Sequence, residues 1–491
     1  MVASELGKLL DCVCILAAKH LPLWLMLTIG IVLGSVAYVV QYLFLVNEII
    51  TLSYWHLIVL HILAGNSICW FNAVCCRTAE INFLNDHQTV IALVSTYSGL
   101  SGKLYTLLVE AVHGPGASSA STCLLLNCLV PIGVGSVFLI IVRDNPPINQ
   151  IKSVPSGSFT FIFMIAAAIG AYSVFDSIAP AIQRVSPSWR VLILLILMIL
   201  PIVVPIGMDL EKLKLEKWHF KFTSQSSSGD HEGQLNSTKM SEETIINIGE
   251  VENKDEKEEK KCGEIEWEKE EGEKEEVHGN ELAPKDLIFS VNFWLDFWVY
   301  AFGATLIIAY FNDLGRISKT RVQADAPFLL AISSSFGFFG RLFTVMFDWF
   351  TRGKSFLSRP VSVVVLMVSM TASFFMLLAS GDHYYIYFST AILGVCSGVI
   401  ATIIGSITSD LFGPKNAAMN NTILHANIPI GILIYGSLAA LDYDSVGDGS
   451  QCSGFKCFRK TFMVWGSICS VGTILSFILY LRTRKLYRQR L

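Results

Sequence analysis

Long apolar segments alternate with short polar joints along almost the whole chain. Trp24–Val46, Tyr54–Cys76, Thr89–Val112, Ser121–Val142, Phe159–Ile178 and Trp189–Ile206 fill the first part. Phe293–Phe311, Pro327–Phe347, Pro360–Ser380, Tyr384–Ser409, Ala417–Leu441 and Thr461–Leu481 fill the second. A helix rises about 1.5 Å per residue, so roughly 20 apolar residues cross a bilayer core of about 30 Å. Runs this long must satisfy their backbone internally in lipid, which predicts helices. Before them, Glu5–Ala18 follows the logic of a signal peptide only superficially: Asp11 interrupts it and no small-residue cleavage site follows. It reads as a weak, partial membrane helix, for about thirteen spans in an all-α, multi-pass integral membrane protein.

The joints divide the chain into a block of seven segments (1–208), a polar stretch (209–286) and a block of six with a basic tail (287–491). Residues 241–280 hold sixteen Asp or Glu against six Lys, a net of −10, so the net charge of −4 leaves about +6 elsewhere. A segment of this composition buries too little apolar surface to offset chain entropy and is expected to be disordered. Its basic, aromatic-studded start (Lys212, Lys214, Lys217, Trp218, Phe220) suits an anionic membrane surface. With 53% hydrophobic residues and no basic stripe, nucleic acid is excluded as a partner. No nucleophile–base pair, metal-ligand spacing or phosphate-cradling loop argues for an enzyme, a metal or a cofactor.

Short basic loops face the cytosol. The tail from Arg482 to Arg490 is therefore inside, and alternation places the 209–286 stretch and the Arg352–Arg359 joint inside too. Two basic joints, Arg184/Arg190 and Arg316/Lys319/Arg321, fall outside against the rule. Alternation also puts the 442–460 loop outside, where Cys452 and Cys457 are disulfide candidates across Gly454.

Ionisable groups within spans are costly and are functional candidates by default. Lys103 lies mid-span and needs a partner or an anionic substrate; Glu110, seven residues on, shares roughly its helix face. Asp176, Asp296 and Asp313 are candidate proton-coupling carboxylates, since a carboxyl neutral when buried and charged when wetted is what proton symport requires. Asn66 and Asn72 line a pathway or bond helix to helix. Gly340-Arg341, Asp348 and Arg352 form a degenerate Asp/Arg gating pattern, in which an ion pair holds one conformation closed. Gly30, Gly34, Gly394, Gly398 and Gly405 stand at spacings that allow close helix packing.

Several stretches also carry a family resemblance. Ala64-Gly65-Asn66-Ser67-Ile68-Cys69-Trp70-Phe71-Asn72 resembles a signature span of the plant nodulin-like membrane proteins, and Tyr97-Ser98-Gly99-Leu100-Ser101-Gly102 resembles the next. Asp296-Phe297-Trp298, Asn312-Asp313-Leu314-Gly315, Phe339-Gly340-Arg341, Ser409-Asp410-Leu411-Phe412-Gly413 and Cys452…Cys457 are similar to the second half of the Nuclear Fusion Defective type of that family. The resemblance implies a major-facilitator-type two-bundle fold, with 159–178 and 189–206 as two additional spans between six-helix halves. It also implies one further span before the stretch around Ser4–Lys8, which this sequence lacks, so a truncated start is expected. The function it implies is secondary transport of a small polar or anionic solute. A competing reading is a scaffold in membrane organisation or fusion, acting on a cytosolic partner through 209–286. Neither the sequence nor the resemblance chooses between plasma membrane and endomembrane.

Overall fold

The computed structural model describes residues 2–18, 20–49, 51–83, 87–114, 119–141, 156–179, 182, 184–201, 284–321, 326–351, 359–379, 382–413, 416–447 and 454–490. The 209–286 stretch therefore lies outside the described residues, apart from its last three, and so does Arg352. The described elements belong to one compact unit formed by residues 1–201 and 282–491.

The first block runs α1 (Val2–Lys8), α2 (Asp11–Ala17), α3 (Leu23–Leu45), α4 (Tyr54–Asn82), α5 (His87–Ser98), α6 (Ser101–His113), α7 (Ala120–Ile141), α8 (Ser156–Ile178) and α9 (Pro187–Pro201). The second runs α10 (Val291–Phe302), α11 (Ala304–Arg321), α12 (Ala326–Thr351), α13 (Arg359–Met376), α14 (His383–Phe412), α15 (Ala417–His425), α16 (Asn427–Gly447) and α17 (Arg459–Arg490).

Ten helical stretches among the described residues are long and apolar enough to cross a membrane. The expectation of about thirteen spans differs from this at three places. Thr89–Val112 is broken at Gly99-Leu100 into α5 and α6; Trp189–Ile206 is the shorter apolar helix α9; Glu5–Ala18 is two seven-residue helices, neither long enough to cross alone. Large apolar side chains remain on the outer faces, such as Val134, Val137 and Ile140 of α7. In a multi-pass protein these are the surfaces that lipid covers.

Lipid supplies no hydrophobic drive between helices, so small residues and polar contacts must hold them. One close crossing joins α12 to α14. A Cβ on Gly398 would collide with the carbonyl of Gly337, and one on Gly340 with that of Val395. Gly405, placed by spacing in the same stripe, faces open space. The second block also has an aromatic core, in which Trp465, Phe462, Phe458, Phe374 and Tyr310 are fully buried.

One end of that core takes up one of the three cations of a misplaced basic joint, while Lys319 stays exposed. Arg321 is only 8% exposed: its guanidinium lies 4.6 Å from the Phe455 ring centre and 5.4 Å from that of Phe462, and donates to the Leu377 carbonyl at 3.0 Å. Arg316 pairs with Asp313 at 3.2 Å. A cation consumed by internal contacts does not report loop orientation as a free one does. The Asp442 carboxylate accepts from both the Thr461 N–H (3.0 Å) and its hydroxyl (2.8 Å), tying α16 to the start of α17. Cys457 is buried and disulfide-bonded; Cys452 lies outside the described residues.

Replacing Gly398 with Leu should separate α12 from α14 and abolish the folded monomer in detergent. Gly405→Leu, at an open position, should leave the size-exclusion profile unchanged.

Candidate functional site

The two blocks meet in two places. On one side α12 packs against α5, α6 and α8; on the other, α1 and α2 pack against α15 and α16. The second contact encloses a cavity of about 190 Å³. Glu5 and Lys8 reach it from α1, Asp11 from α2, Cys69 and Asn72 from α4, and Thr422 and His425 from α15. Close approach of α1 to α4 makes this possible, because a Cβ on Gly7 would meet the Ile62 carbonyl and one on Gly65 the Ser4 carbonyl. Within the cavity Lys8 pairs with Glu5 at 2.6 Å. Asp11 makes no ion pair with a described residue. The Nε2 of His425 is buried without a hydrogen-bond partner.

Of the two signature-span asparagines, Asn72 lines this cavity. Asn66 instead accepts from the Trp70 indole N–H of its own helix at 3.1 Å. Glu5, Lys8, Thr422 and His425 were not picked out by sequence reasoning, and Asp11 only as an interruption.

Lys103 is elsewhere. It is 2% exposed, and its ammonium sits 2.6 Å from Asp176 and donates to Ser177 at 2.9 Å. Arg190 of α9 grips the same Asp176 carboxylate through two nitrogens, at 2.6 and 2.9 Å, and reaches Glu110 at 3.1 Å. Lys103 and Glu110 thus belong to one cluster, joined through Asp176 and Arg190. Two acids and two bases make the quartet neutral, which lets four ionisable groups stay in a low-dielectric interior. The quartet fastens α8 and α9 to α6. It also withdraws Arg190, 5% exposed, from the second misplaced joint, while Arg184 stays exposed.

The gating candidates separate. Arg341 of α12 reaches across the blocks, donating to the Ser95 carbonyl and to the Ser98 hydroxyl of α5, both at 2.6 Å. Asp348 is exposed at the end of α12, within electrostatic range of Arg359 and Asp410, which pair with each other at 2.6 Å. Asp313 is held by Arg316. Asp296 is 3% exposed, and its Oδ2 has no hydrogen-bond partner.

Known proteins resemble this chain in sequence and fold. Residues 1–206 match the Nodulin-like family model and 277–489 match the NFD4 C-terminal domain. The chain belongs to the nodulin-like family. Among its members, Protein NUCLEAR FUSION DEFECTIVE 4 of Arabidopsis thaliana is 30% identical, over 99% of this chain and 82% of the relative. A probable transporter, mch1 of Emericella nidulans, is 28% identical over 134 residues, a quarter of this chain and 22% of that protein. Among solved structures, the peptide transporter POT bound to alafosfalin superposes with a TM-score of 0.53 at 12% identity, covering 99% of this chain and 85% of that one. At such identity the likeness concerns fold, and the fold is of the major-facilitator transporter type.

Because Asp176 serves both bases, Asp176→Asn strands Lys103 and leaves Arg190 with Glu110 alone, and breaking a buried pair in this way costs about 3–5 kcal/mol. The variant should melt well below the parent in detergent. Lys103→Met, which leaves the Asp176–Arg190 pair intact, should melt closer to it.

Proposed function

We propose that this nodulin-like protein is a secondary carrier that moves a small polar solute by alternating access. The observation that carries the reading is the cavity between the blocks, whose polar groups come from both: Glu5, Lys8, Asp11 and Asn72 on one side, Thr422 and His425 on the other. A solute held there touches both blocks at once, and rocking one against the other exposes it to either face. The Arg341 contacts to Ser95 and Ser98 are the breakable latch at the other interface. Lys103, engaged by Asp176, lends no support to an anionic solute. The cavity offers a lysine, a histidine, two acids and neutral polar groups, which favours a solute carrying both donors and acceptors. The competing scaffold reading rests on 209–286. Deleting 230–280 separates the two, because a carrier retains solute binding without that stretch.

A ligand that binds only the folded state raises stability by about 2.7 kcal/mol at a hundred times its dissociation constant. Thermal melts of the full chain against a panel of small amino acids, organic acids and sugars should therefore find stabilising solutes. Asn72→Trp, which fills the cavity, should abolish the shift. A panel that stabilises nothing, or a shift that survives Asn72→Trp, contradicts this site.

For the latch, Arg341→Ala should raise protease sensitivity in the α5–α6 segment without lowering the melting temperature as far as Asp176→Asn does, since only two contacts at one interface are lost.

A further inference from the structure

We propose that Cys14 of α2 and Cys69 of α4 are a redox pair, whose thiols close to a disulfide when a hydroperoxide enters the cavity between the blocks. The inference concerns the chemistry of the pair and stands apart from the carrier reading.

The two sulfurs come from different helices and meet in the interior. Cys14 is fully buried and Cys69 is 3% exposed, both in a small core with Leu23, Met26 and Leu27 of α3. Their thiols are hydrogen-bond partners, and the Asn66 amide, whose oxygen is taken by Trp70, bonds to Cys14 as well. Cys69 also lies 3.5 Å from the carbonyl of Lys8, the last residue of α1. That position follows from the close crossing of α1 and α4 at Gly7 and Gly65, since Cys69 is one turn along α4 from Gly65. Two thiols already in contact across a helix pair stand where a disulfide needs them, with little backbone movement left to make.

Access separates the two. Cys69 lines the cavity, whereas Cys14 is not among the lining residues. A peroxide in the cavity therefore meets the sulfur of Cys69 first. The O–O bond breaks as one oxygen passes to that sulfur, giving a sulfenic acid and one water. The Cys14 sulfur then displaces the hydroxyl group, which leaves with the Cys14 proton as a second water. In total two S–H bonds and the O–O bond break, one S–S bond and two O–H bonds form, and the peroxide accepts the two electrons. Polar groups for moving protons stand beside the first step: the Asp11 carboxylate hydrogen-bonds with the Cys69 thiol, and Lys8 shares the wall.

Other described cysteines are placed differently. Cys75 and Cys76 are neighbours on α4, where successive side chains diverge. The Cys12 thiol donates to the Leu9 carbonyl at 3.6 Å, Cys123 contacts Asn127 of its own helix at 3.8 Å, and Cys469 donates to the Met367 carbonyl at 3.9 Å. In a reducing compartment the Cys14–Cys69 pair rests as two thiols, so the disulfide is a transient state that reports oxidant. While it lasts, it staples α2 to α4 and holds the first-block wall of the cavity in place.

The test treats the full chain, in nanodiscs, with hydrogen peroxide, blocks the remaining thiols with N-ethylmaleimide, and reads unreduced peptides by mass spectrometry. A cross-linked peptide joining Cys14 to Cys69 should appear and should vanish on adding dithiothreitol. The oxidised protein should melt at a higher temperature than the reduced one, because a cross-link restricts the unfolded chain. In Cys14→Ser the cross-link should be lost and Cys69 should stop at the sulfenic acid, which dimedone captures. Asn72→Trp, which fills the cavity, should slow cross-linking several-fold. Cys14 and Cys69 recovered as maleimide adducts after denaturation, while Cys75 and Cys76 oxidise, overturn the proposal and describe a packing pair. So does a cross-link that forms only in the unfolded chain, or that joins either cysteine to another partner. An unchanged rate in Asn72→Trp overturns the cavity as the route, and an unchanged melting temperature overturns the staple. If Cys14→Ser fails to fold, the cross-link in the parent alone decides.

Discussion

Helices in lipid cannot gain by hiding apolar surface from one another, so the arrangement depends on close backbone contact and on polar groups finding partners. Both requirements converge on α12. Its glycines admit α14 to backbone distance within the second block. Its opposite face carries Arg341 to α5, Ser335 to Ser173 of α8 at 2.5 Å, and Phe338 to Tyr97 at 6.0 Å between rings. One helix thus sets the packing of its own block and one of the two interfaces between the blocks. The remaining interface, where α1 and α2 meet α15 and α16, is left to enclose the cavity.

The ionisable side chains follow a consistent division. Where charges pair fully, as in the Lys103–Asp176–Arg190–Glu110 quartet, they fix helices: α8 and α9 are bound to α6 by contacts expensive to break singly. Where they do not pair, as at Asp296 and His425, they lie along α10 and α15, with His425 at the cavity wall. Neutral clusters resist change and isolated groups respond to it. The first kind is suited to scaffolding and the second to work. This division recasts Lys103, whose position mid-span suggested contact with an anion, as a fastener of α8 and α9 to α6.

Much of the architecture was legible in the chain. Apolar runs and their joints located the spans because a bilayer imposes one length scale on every helix. Motifs such as Ala64–Asn72 and Phe339–Arg341 indicated the family. The partnerships were not legible. Lys103 and Asp176 were each conspicuous, yet 73 positions separate them, and nothing in spacing says that α6 and α8 touch. Arg190 and Arg321 were read as loop cations because each lies at the edge of an apolar run; only packing shows that a carboxylate and two aromatic rings consume them. His425 was passed over because a lone histidine in an apolar helix carries no signal without the Tyr300 ring and the cavity around it. Lys8 and Glu5 sit three residues apart in a segment read as a weak, partial membrane helix and not as a site, and that spacing was the available clue.

The central claim is that two blocks move against each other around a shared cavity. Its most direct test is a distance measurement by pulsed electron resonance between spin labels at Ala120, at the exposed start of α7, and Tyr384, 80% exposed at the start of α14. The labels are placed on a chain whose other reactive cysteines have been replaced, reconstituted in nanodiscs. The account predicts two distance populations whose ratio shifts when a stabilising solute is added. A single narrow distance under every condition would contradict it and describe a rigid membrane scaffold.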